Sequence, residues 1–278
     1  MKQITDYFGI SRQAYYKAEK SVENKLLSEE VCLKLVRDIR IYQPKLGGKK
    51  LYYKLFNDLQ NLPYKISRDK LFELLRRNDM LVKRKRRFIL TTDSNSANPV
   101  YPNLIKDLQI NKPNQIFVAD ITYIRHLNGF AYLSLICDLY SRKIAGFHVS
   151  DSLSLDGPLN ALKMCVKTIP SDELKGMIHH SDRGCQYRSI KYTEFLKDNG
   201  CQISMSRKGN PYENAVMERI NGILKDEFLL NETYEDIKSI KKAVKQAIRI
   251  YNEERPHLSL SYKTPSFVYQ NGAKNHAA

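Results

Sequence analysis

Residues 114–150 read NQIFVADITYIRHLNGFAYLSLICDLYSRKIAGFHVS, a segment rich in β-branched and aromatic residues. An Asn-Gly pair at 128–129 and a Ser-Arg pair at 141–142 interrupt it with turn signals. Apolar runs separated by such turns are typical of hairpins, so the segment predicts a meander of three antiparallel strands. Asp120 lies inside the first strand, between IFVA and ITYI, where an uncompensated charge would be destabilising.

After the meander, helical and extended segments alternate. The order is a helix (SLDGPLNALKMCVKTI), a strand (GMIHHSD), a helix (SIKYTEFLKDNG), a strand (CQISMS) and a helix (NPYENAVMERINGILKDEF). Asn210 is the expected N-cap of the last helix, and Pro211 is its expected first residue. The meander followed by this αβαβα order predicts an α/β fold with a mixed sheet and helices packed against it.

The first 90 residues have apolar side chains three and four apart, with short breaks, which predicts a small all-α region. Ser11, Ser28 and Ser67 are candidate N-caps for three of its helices. The polar, proline-containing stretch TTDSNSANPVYPN follows and is typical of a linker. We therefore expect a helical basic region at 1–90, a linker at 91–104, a catalytic α/β domain at 105–265 and a tail at 266–278.

The N-terminal stretch ITDYFGISRQAYYKAEK has the outline of a helix-turn-helix around Gly9. In that arrangement Arg12, Gln13 and Lys17 would face DNA. A plain packing hairpin fits the same outline, so the stretch alone does not decide between the two.

The charge balance points to a polyanionic partner. Lys and Arg number 46 against 30 Asp and Glu, the net charge is +16 and the pI is about 9.5. Residues 1–100 alone hold 22 Lys and Arg against 11 Asp and Glu. The run Lys83, Arg84, Lys85, Arg86, Arg87 is either a solvated face or, as we favour in so basic a chain, a phosphate-contacting segment.

The remaining composition indicates a cytoplasmic protein. Five cysteines form no C-x-x-C pair and have no regular spacing, which argues against a disulfide or zinc framework. The first ten residues lack the apolar core of a signal peptide, and no apolar run approaches the length of a membrane span.

Three carboxylates can converge in the predicted fold. Asp182 ends the strand in MIHHSDRGCQY, and it lies beside Asp120 if the two strands are neighbours in the sheet. Glu218 belongs to a polar stripe, with Asn214, Asn221 and Lys225, on a helix whose other side is apolar. Taken singly, each acid can also be an ordinary salt-bridge, turn or solvated residue.

Converging carboxylates repel one another, and hard divalent cations remove that repulsion. Two Mg²⁺ ions, for which Mn²⁺ can substitute, are the usual companions of such a cluster in phosphoryl transfer. The adjacent His179 and His180 point to opposite faces of a strand, so we expect core or hydrogen-bonding roles for them. The sequence therefore predicts a metal-dependent enzyme that cuts or joins nucleic-acid backbones.

These motifs carry a resemblance to a known family. VADITYI, HSDRGCQY and SMSRKGNPYENAVMERINGILKDE resemble the catalytic signature of bacterial insertion-sequence transposases with a retroviral-integrase-like core. They look most like the large family named after insertion sequence three. The closing YNEERPHLSLSYKTP and the N-terminal GISRQAYYK and YQPKLGGKKLYYKL resemble its other segments, so the likeness spans nearly the whole chain.

The resemblance implies an RNase H-like core in which an Asp-Asp-Glu triad matches Asp120, Asp182 and Glu218, with a family-like spacing of 35 residues between the last two. It also implies that Arg207 and Lys208 hold DNA phosphates close to the metals, and that Asn214 supports the site. The implied reaction is transposition, in which water or a 3′-hydroxyl attacks a phosphodiester at the element's end and the freed 3′-hydroxyl attacks target DNA.

Members of this family often act as multimers on paired element ends and as frameshift fusions to an upstream reading-frame product. We expect this chain to act as a multimer and as such a fusion. Two other functions remain open from the sequence: a metal-dependent nuclease on the same fold, and a catalytically silent DNA-binding remnant. A C-terminal helix, EDIKSIKKAVKQAIRIYNEERPH, has one apolar face and one lysine-rich face that DNA or a second subunit can use.

Overall fold

The computed structural model describes residues 7, 9, 11–82, 99–207 and 214–274. The chain divides into two compact units, residues 1–86 and 87–278. Among the residues described, no helix has the length and apolar character needed to cross a membrane.

The N-terminal unit is built from helices around one apolar core, as predicted. Its helices are α1 (Arg12–Tyr42), α2 (Gly48–Lys54), α3 (Phe56–Gln60) and α4 (Arg68–Arg77). The core they share contains Cys32, Val36, Leu46, Leu51, Leu55, Leu59, Ile66, Leu71, Leu74 and Leu75. Two predicted caps are confirmed: the Ser11 hydroxyl accepts the N–H of Ala14, and the Ser67 hydroxyl accepts that of Lys70.

The prediction that Ser28 begins a helix is wrong. Helix α1 runs through Ser28 without a break, because the preceding turns contain neither glycine nor proline to stop it. Ser28 is fully buried, and its hydroxyl accepts the backbone N–H of Tyr64 at 3.0 Å. The same chemistry that makes serine a good cap serves here to satisfy a donor 36 residues away.

Two of the DNA-binding predictions concern residues that lie wholly or largely outside the described part of the chain. The first helix of the proposed helix-turn-helix falls largely on residues 1–10, of which only Tyr7 and Gly9 are described. The cationic run Lys83–Arg87 lies outside the described residues.

The second unit contains a five-stranded mixed sheet with the order β3-β2-β1-β4-β5. Its strands are β1 (Ile116–His126), β2 (Gly129–Asp138), β3 (Ile144–Ser150), β4 (Ile178–Ser181) and β5 (Gln202–Met205). The first three pair antiparallel, which confirms the meander, and β4 pairs parallel with both β1 and β5. This is the predicted RNase H-like arrangement.

Helices cover both faces of the sheet. On one face lie α5 (Asp156–Val166) and α7 (Ile190–Asp198); on the other lie α8 (Ala215–Glu227) and α9 (Ile237–Glu253); a short α6 (Ser171–Leu174) precedes β4. Alternation along β1 serves both cores, since Val118 packs toward α8 and α9 whereas Phe117 packs toward α5 and α7.

The predicted start of the Glu218 helix, at Asn210 and Pro211, cannot be compared with the structure. Helix α8 begins at Ala215 with Asn214 as its N-cap, and Asn210 and Pro211 lie outside the described residues. The Asn214 side chain donates to the carbonyl of Ala119, which links the start of the described helix to β1.

The C-terminal segment returns to the sheet. Helix α10 (Pro265–Lys274) covers most of the residues expected to form a tail, and the Tyr269 hydroxyl donates to Asn114 Oδ1 at 2.8 Å. Asn252 on α9 binds both backbone groups of Ile144, accepting its N–H and donating to its C=O at 2.9 Å each. The side-chain amide therefore fastens α9 to the start of β3.

Arg255, in the closing motif, is buried and binds Glu227 through two hydrogen bonds of 2.8 Å each. Glu227 is the last residue of α8, so the pair joins that helix to the segment after α9. A bidentate pair shielded from water is geometrically specific, and removal of one partner leaves the other charge uncompensated.

We expect Arg255→Met to lower the free energy of unfolding by about 3 kcal/mol, because it strands the Glu227 carboxylate in a partly buried position. Arg249→Met is the matched control, since Arg249 pairs with Glu253 and Glu254 at an exposed position and should cost less than about 1 kcal/mol. Urea unfolding of the two variants checks this, and equal losses would contradict it.

Candidate active site

The two aspartates are brought together by strand pairing. β1 and β4 run parallel, with Val118 opposite His180, and each aspartate lies two residues further along its own strand. Asp120 is still within β1, whereas Asp182 directly follows β4. The expectation that the two strands are neighbours is therefore confirmed.

A tight turn holds the Asp182 carboxylate. The backbone N–H of Gly184 donates to Asp182 Oδ1 at 2.9 Å, and the Arg183 guanidinium donates to the carbonyl of Ser206 at 2.8 Å. A Cβ added at Gly184 would lie 3.0 Å from that carboxylate oxygen, so a larger residue would crowd the turn. The Asp-Arg-Gly sequence thus fixes where Asp182 points.

Helix α8 presents its polar stripe to β1. Asn221 donates from Nδ2 to Asp120 Oδ2 at 2.7 Å, and Asn214 donates to the carbonyl of Ala119 at 3.4 Å. Lys225 places its ammonium 4.2 Å from the ring centre of Tyr123 on the same strand. Glu218, in the first turn of α8, lies on this stripe between the two asparagines.

Burial and neighbouring charge both act on the two aspartates. The pKa of Asp120 is raised to about 7, first by burial and then by the charges of Asp182 and Glu218, against the opposing effects of the Ile121 backbone hydrogen bond and of Lys225. Burial also raises the pKa of Asp182, opposed by the hydrogen bond from Gly184. Both Asp182 and Glu218 thus act electrostatically on Asp120.

Glu218 differs from the two aspartates in being exposed. Among residues 11–82, 99–207 and 214–274, no three His, Cys, Asp or Glu side chains come close enough together to hold one metal ion. The catalytic triad of Asp120, Asp182 and Glu218 therefore stays a prediction, supported by the pairing of the aspartates and the direction of the polar stripe.

The donor set nevertheless suits a hard divalent cation. Its atoms are carboxylate oxygens, which Mg²⁺ and Mn²⁺ prefer, and such a cation would compensate the charges of Asp182 and Glu218 that, after burial, raise the pKa of Asp120. Asp120 and Asp182 are the residues that would hold it, with Glu218 as the third ligand.

Several buried polar atoms around Asp120 have no hydrogen-bond partner within the described chain. They are the Tyr187 hydroxyl and the Oδ1 atoms of Asn214 and Asn221. Buried polar groups are usually paired, so these atoms are suited to bind water or a substrate group. The role of Tyr187 was missed in the sequence, although the residue ends the HSDRGCQY motif, because nothing in a motif shows which hydroxyl the fold leaves unpaired.

The two histidines before Asp182 have the structural roles expected of them. His179 Nε2 lies 2.9 Å from the Tyr192 hydroxyl, and His180 Nδ1 lies 2.8 Å from Ser204 Oγ. Both are buried, and burial lowers the pKa of His179 to about 3, so that imidazole is neutral.

The predicted DNA-binding residues are exposed where they are described. Arg207 is exposed just after β5, and Arg12 is exposed at the first residue of α1. Lys208 lies outside the described residues, as does the run Lys83–Arg87. Their contacts with DNA stay predictions.

Comparisons with known proteins agree with this geometry. Two integrase core domain families match the chain, at residues 110–211 and 199–265. The chain is 32% identical to the 31 kDa protein of insertion element IS600 from Shigella sonnei, over 93% of this chain and 94% of that protein. It is 39% identical to the transposase of IS904 from Lactococcus lactis, over 59% of this chain and 65% of that one.

Solved structures show a weaker likeness. The HTLV-2 integrase catalytic core in complex with magnesium aligns with a TM-score of 0.44 and 18% identity, over 57% of this chain and 97% of that one. The simian T-cell lymphotropic virus intasome aligns with a TM-score of 0.49 and 15% identity, over 84% of this chain and 73% of that one.

The raised pKa of Asp120 predicts how stability depends on pH. The folded protein binds the Asp120 proton more tightly than the unfolded chain does, so the protonated carboxyl adds to the free energy of unfolding. This contribution is fully present below the unfolded pKa of about 4. It is lost as the pH rises to about 7, where the carboxyl ionises in the folded protein. Asp120→Asn removes this loss, which for a pKa raised from about 4 to about 7 is about 4 kcal/mol, so in EDTA above pH 7 its Tm should exceed that of the wild type by about 8 °C or more. The difference should shrink toward pH 4.

Differential scanning calorimetry across this range measures the effect. Asp107→Asn, at an exposed position, is the control and should follow the wild type at every pH. A Tm for Asp120→Asn equal to or below that of the wild type at high pH would show that the carboxylate is not destabilised by its surroundings.

Proposed function

Because this chain belongs to the insertion-sequence transposases with an integrase core domain, we propose that it cleaves the ends of its own element and joins them to target DNA. Transposases of this class are polynucleotidyl transferases. The bond broken is a phosphodiester at the element's end, and water or a 3′-hydroxyl attacks its phosphorus. In the joining step the freed 3′-hydroxyl attacks a phosphodiester of the target strand.

Asp120 and Asp182 would hold two divalent cations between them, and Glu218 would complete the site. When bound, two Mg²⁺ ions activate the attacking oxygen and stabilise the leaving oxygen of such a displacement. The protein's own part is positioning, since this chemistry requires no covalent protein nucleophile. Asn221 orients Asp120, and the Gly184 N–H orients Asp182.

The observation that carries the proposal is the register of β1 against β4 together with the Asn221–Asp120 hydrogen bond. The first places two carboxylates side by side. The hydrogen bond holds helix α8, which contains Glu218, against the strand that contains Asp120. The electrostatic effect of the Asp182 and Glu218 charges on Asp120 also supports a shared role for the three acids over separate salt-bridge or turn roles.

The partners proposed for this reaction are the element's ends and a target duplex. We also propose that the protein acts as a homo-multimer on paired ends and as a frameshift fusion to an upstream reading-frame product, as the family resemblance implies. If the element lies in a bacterial chromosome, the reaction takes place in the cytoplasm, at the nucleoid. Mn²⁺ is expected to replace Mg²⁺, since both are satisfied by oxygen ligands.

The test is cleavage and joining of a labelled duplex that carries the element's own end, with Mg²⁺ or Mn²⁺ present. Glu218→Gln keeps the size of the side chain and removes its charge, so both products should fall by about a thousandfold or more. Glu235→Gln, at an exposed position outside any described helix, is the matched control and should keep wild-type rates.

Equal products from Glu218→Gln and the wild type would remove Glu218 from the site. Cleavage of any duplex, without preference for the element's end, would favour a nuclease on the same fold. Binding without products, from this chain and from its upstream fusion alike, would favour a DNA-binding remnant.

We expect Asn221→Ala to act through Asp120, since it removes the hydrogen bond that orients that carboxylate. Loss of such a supporting contact typically costs about 10- to 100-fold in metal affinity or activity. The Mg²⁺ concentration at half-maximal rate should therefore rise in Asn221→Ala. An unchanged Mg²⁺ requirement would show that the Asn221–Asp120 contact does not position the metal ligand.

A further inference from the structure

Helix α9 has a row of cations on its solvent side, here named the α9 stripe. All of its members are exposed: Lys238, Lys241, Lys242, Lys245 and Arg249. At 100° per residue they fall within an arc of about 100°, along one side of the helix. The basic face expected from the sequence is thus a single continuous row.

The opposite side of α9 fixes the direction of the stripe. Ile240, Val244, Ala247, Ile248 and Tyr251 are buried in the core that α9 shares with the sheet. Asp236 caps the helix by accepting the N–H of Ser239 at 2.7 Å, and Asn252 fastens the other end to β3. With both ends and one face held, α9 cannot rotate to bury its cations.

Four of the five cations in the stripe are not held in ion pairs among the described residues, although Lys238 lies within electrostatic reach of Asp236. These four are the lysines, and Arg249 is shared with Glu253 and Glu254 at the C-terminal end of the stripe. A row of unpaired like charges on one face destabilises the folded state through repulsion, which binding of a polyanion relieves.

The dimensions suit a DNA backbone. From Lys238 to Arg249 the helix rises about 16 Å, and a duplex of that length carries about ten phosphate charges. Lysine ammonium groups bind phosphate as point charges, and contacts to phosphate carry no direct sequence information. Four of the five cations are lysines, so the stripe is suited to hold DNA without reading its bases.

A second copy of the chain fits the same face poorly. Isologous contacts place the same patch of each subunit against the other. Cations would then face cations along the whole stripe, and like charges brought into contact across an interface disfavour binding. The alternative left open by the sequence, a second subunit on this face, is therefore disfavoured.

We propose that the α9 stripe binds the phosphate backbone of the target duplex during joining. This inference rests on the proposed transposase function for its choice of target DNA. The stripe holds a duplex of any sequence, whereas the carboxylates act on the bond that is broken. In this proposal the second unit cleaves and joins DNA at the carboxylates and binds target DNA at the separate α9 stripe.

The test compares two triple variants of the full chain with equal loss of charge. Lys241→Gln, Lys242→Gln and Lys245→Gln remove the middle of the stripe. Lys163→Gln, Lys167→Gln and Lys175→Gln are the control, since these lysines are exposed on or near the helices of the other sheet face. Binding is measured to a random duplex without element ends, between about 50 and 200 mM salt.

The slope of log K against log salt should become shallower by about two to three in the stripe variant, since each lost phosphate contact contributes about 0.9. The control variant should keep most of the wild-type slope. Equal changes in both variants, or no change in the stripe variant, would overturn the proposal, because binding would then follow net charge or use another surface.

Joining distinguishes target DNA from element ends. With a pre-cleaved end, the ratio of joined to unjoined product should fall about tenfold in the stripe variant at the higher salt. If cleavage of an uncut end falls as much as joining, the stripe holds the element's end and the assignment to target DNA is wrong. A wild type that binds through the stripe but never cleaves would overturn the transposase function and leave the binding face standing.

Discussion

The parallel pairing of β1 with β4 is the constraint on which the site depends. It places Asp120 and Asp182 side by side at a local cost: burial raises the pKa of both carboxyl groups, and the charge of Asp182 adds to the rise at Asp120. The protein offsets part of that cost with the Asn221 amide and the Gly184 N–H. The remaining cost is tolerated because the sheet around the acids is well packed. Val118 and Phe117, beside Asp120 on β1, are buried in the cores on its two faces.

The closing motif matters because it holds the site's third element in place. Arg255 binds the C-terminal residue of α8, at the far end of the helix from Glu218. The motif lies far from the aspartates in sequence and makes no described contact with them, so its importance is in holding α8 and α9 against the sheet. A buried ion pair is a modest source of net stability, but its bidentate geometry restricts how α8 can sit.

Much of this architecture could be predicted, and the failures have physical causes. The meander, the αβαβα order and the caps at Ser11 and Ser67 follow from local patterns, and local contacts form them. Ser28 was mistaken for a helix start because a distant partner, the N–H of Tyr64, decides its role. The neighbourhood of Asp120 and Asp182 was predictable from fold class, whereas the unpaired hydroxyl of Tyr187 depends on side-chain packing that no motif encodes.

The contact between Asn252 and Ile144 has a consequence for solubility. β3 is an outer strand of the sheet, and the backbone groups of an outer strand are a template on which another chain can add. Asn252 binds both the N–H and the C=O of Ile144, the two groups that an added strand would bind. These groups at the start of β3 are therefore not available to another chain. One side-chain amide in the closing motif thereby limits edge-to-edge pairing at the start of β3.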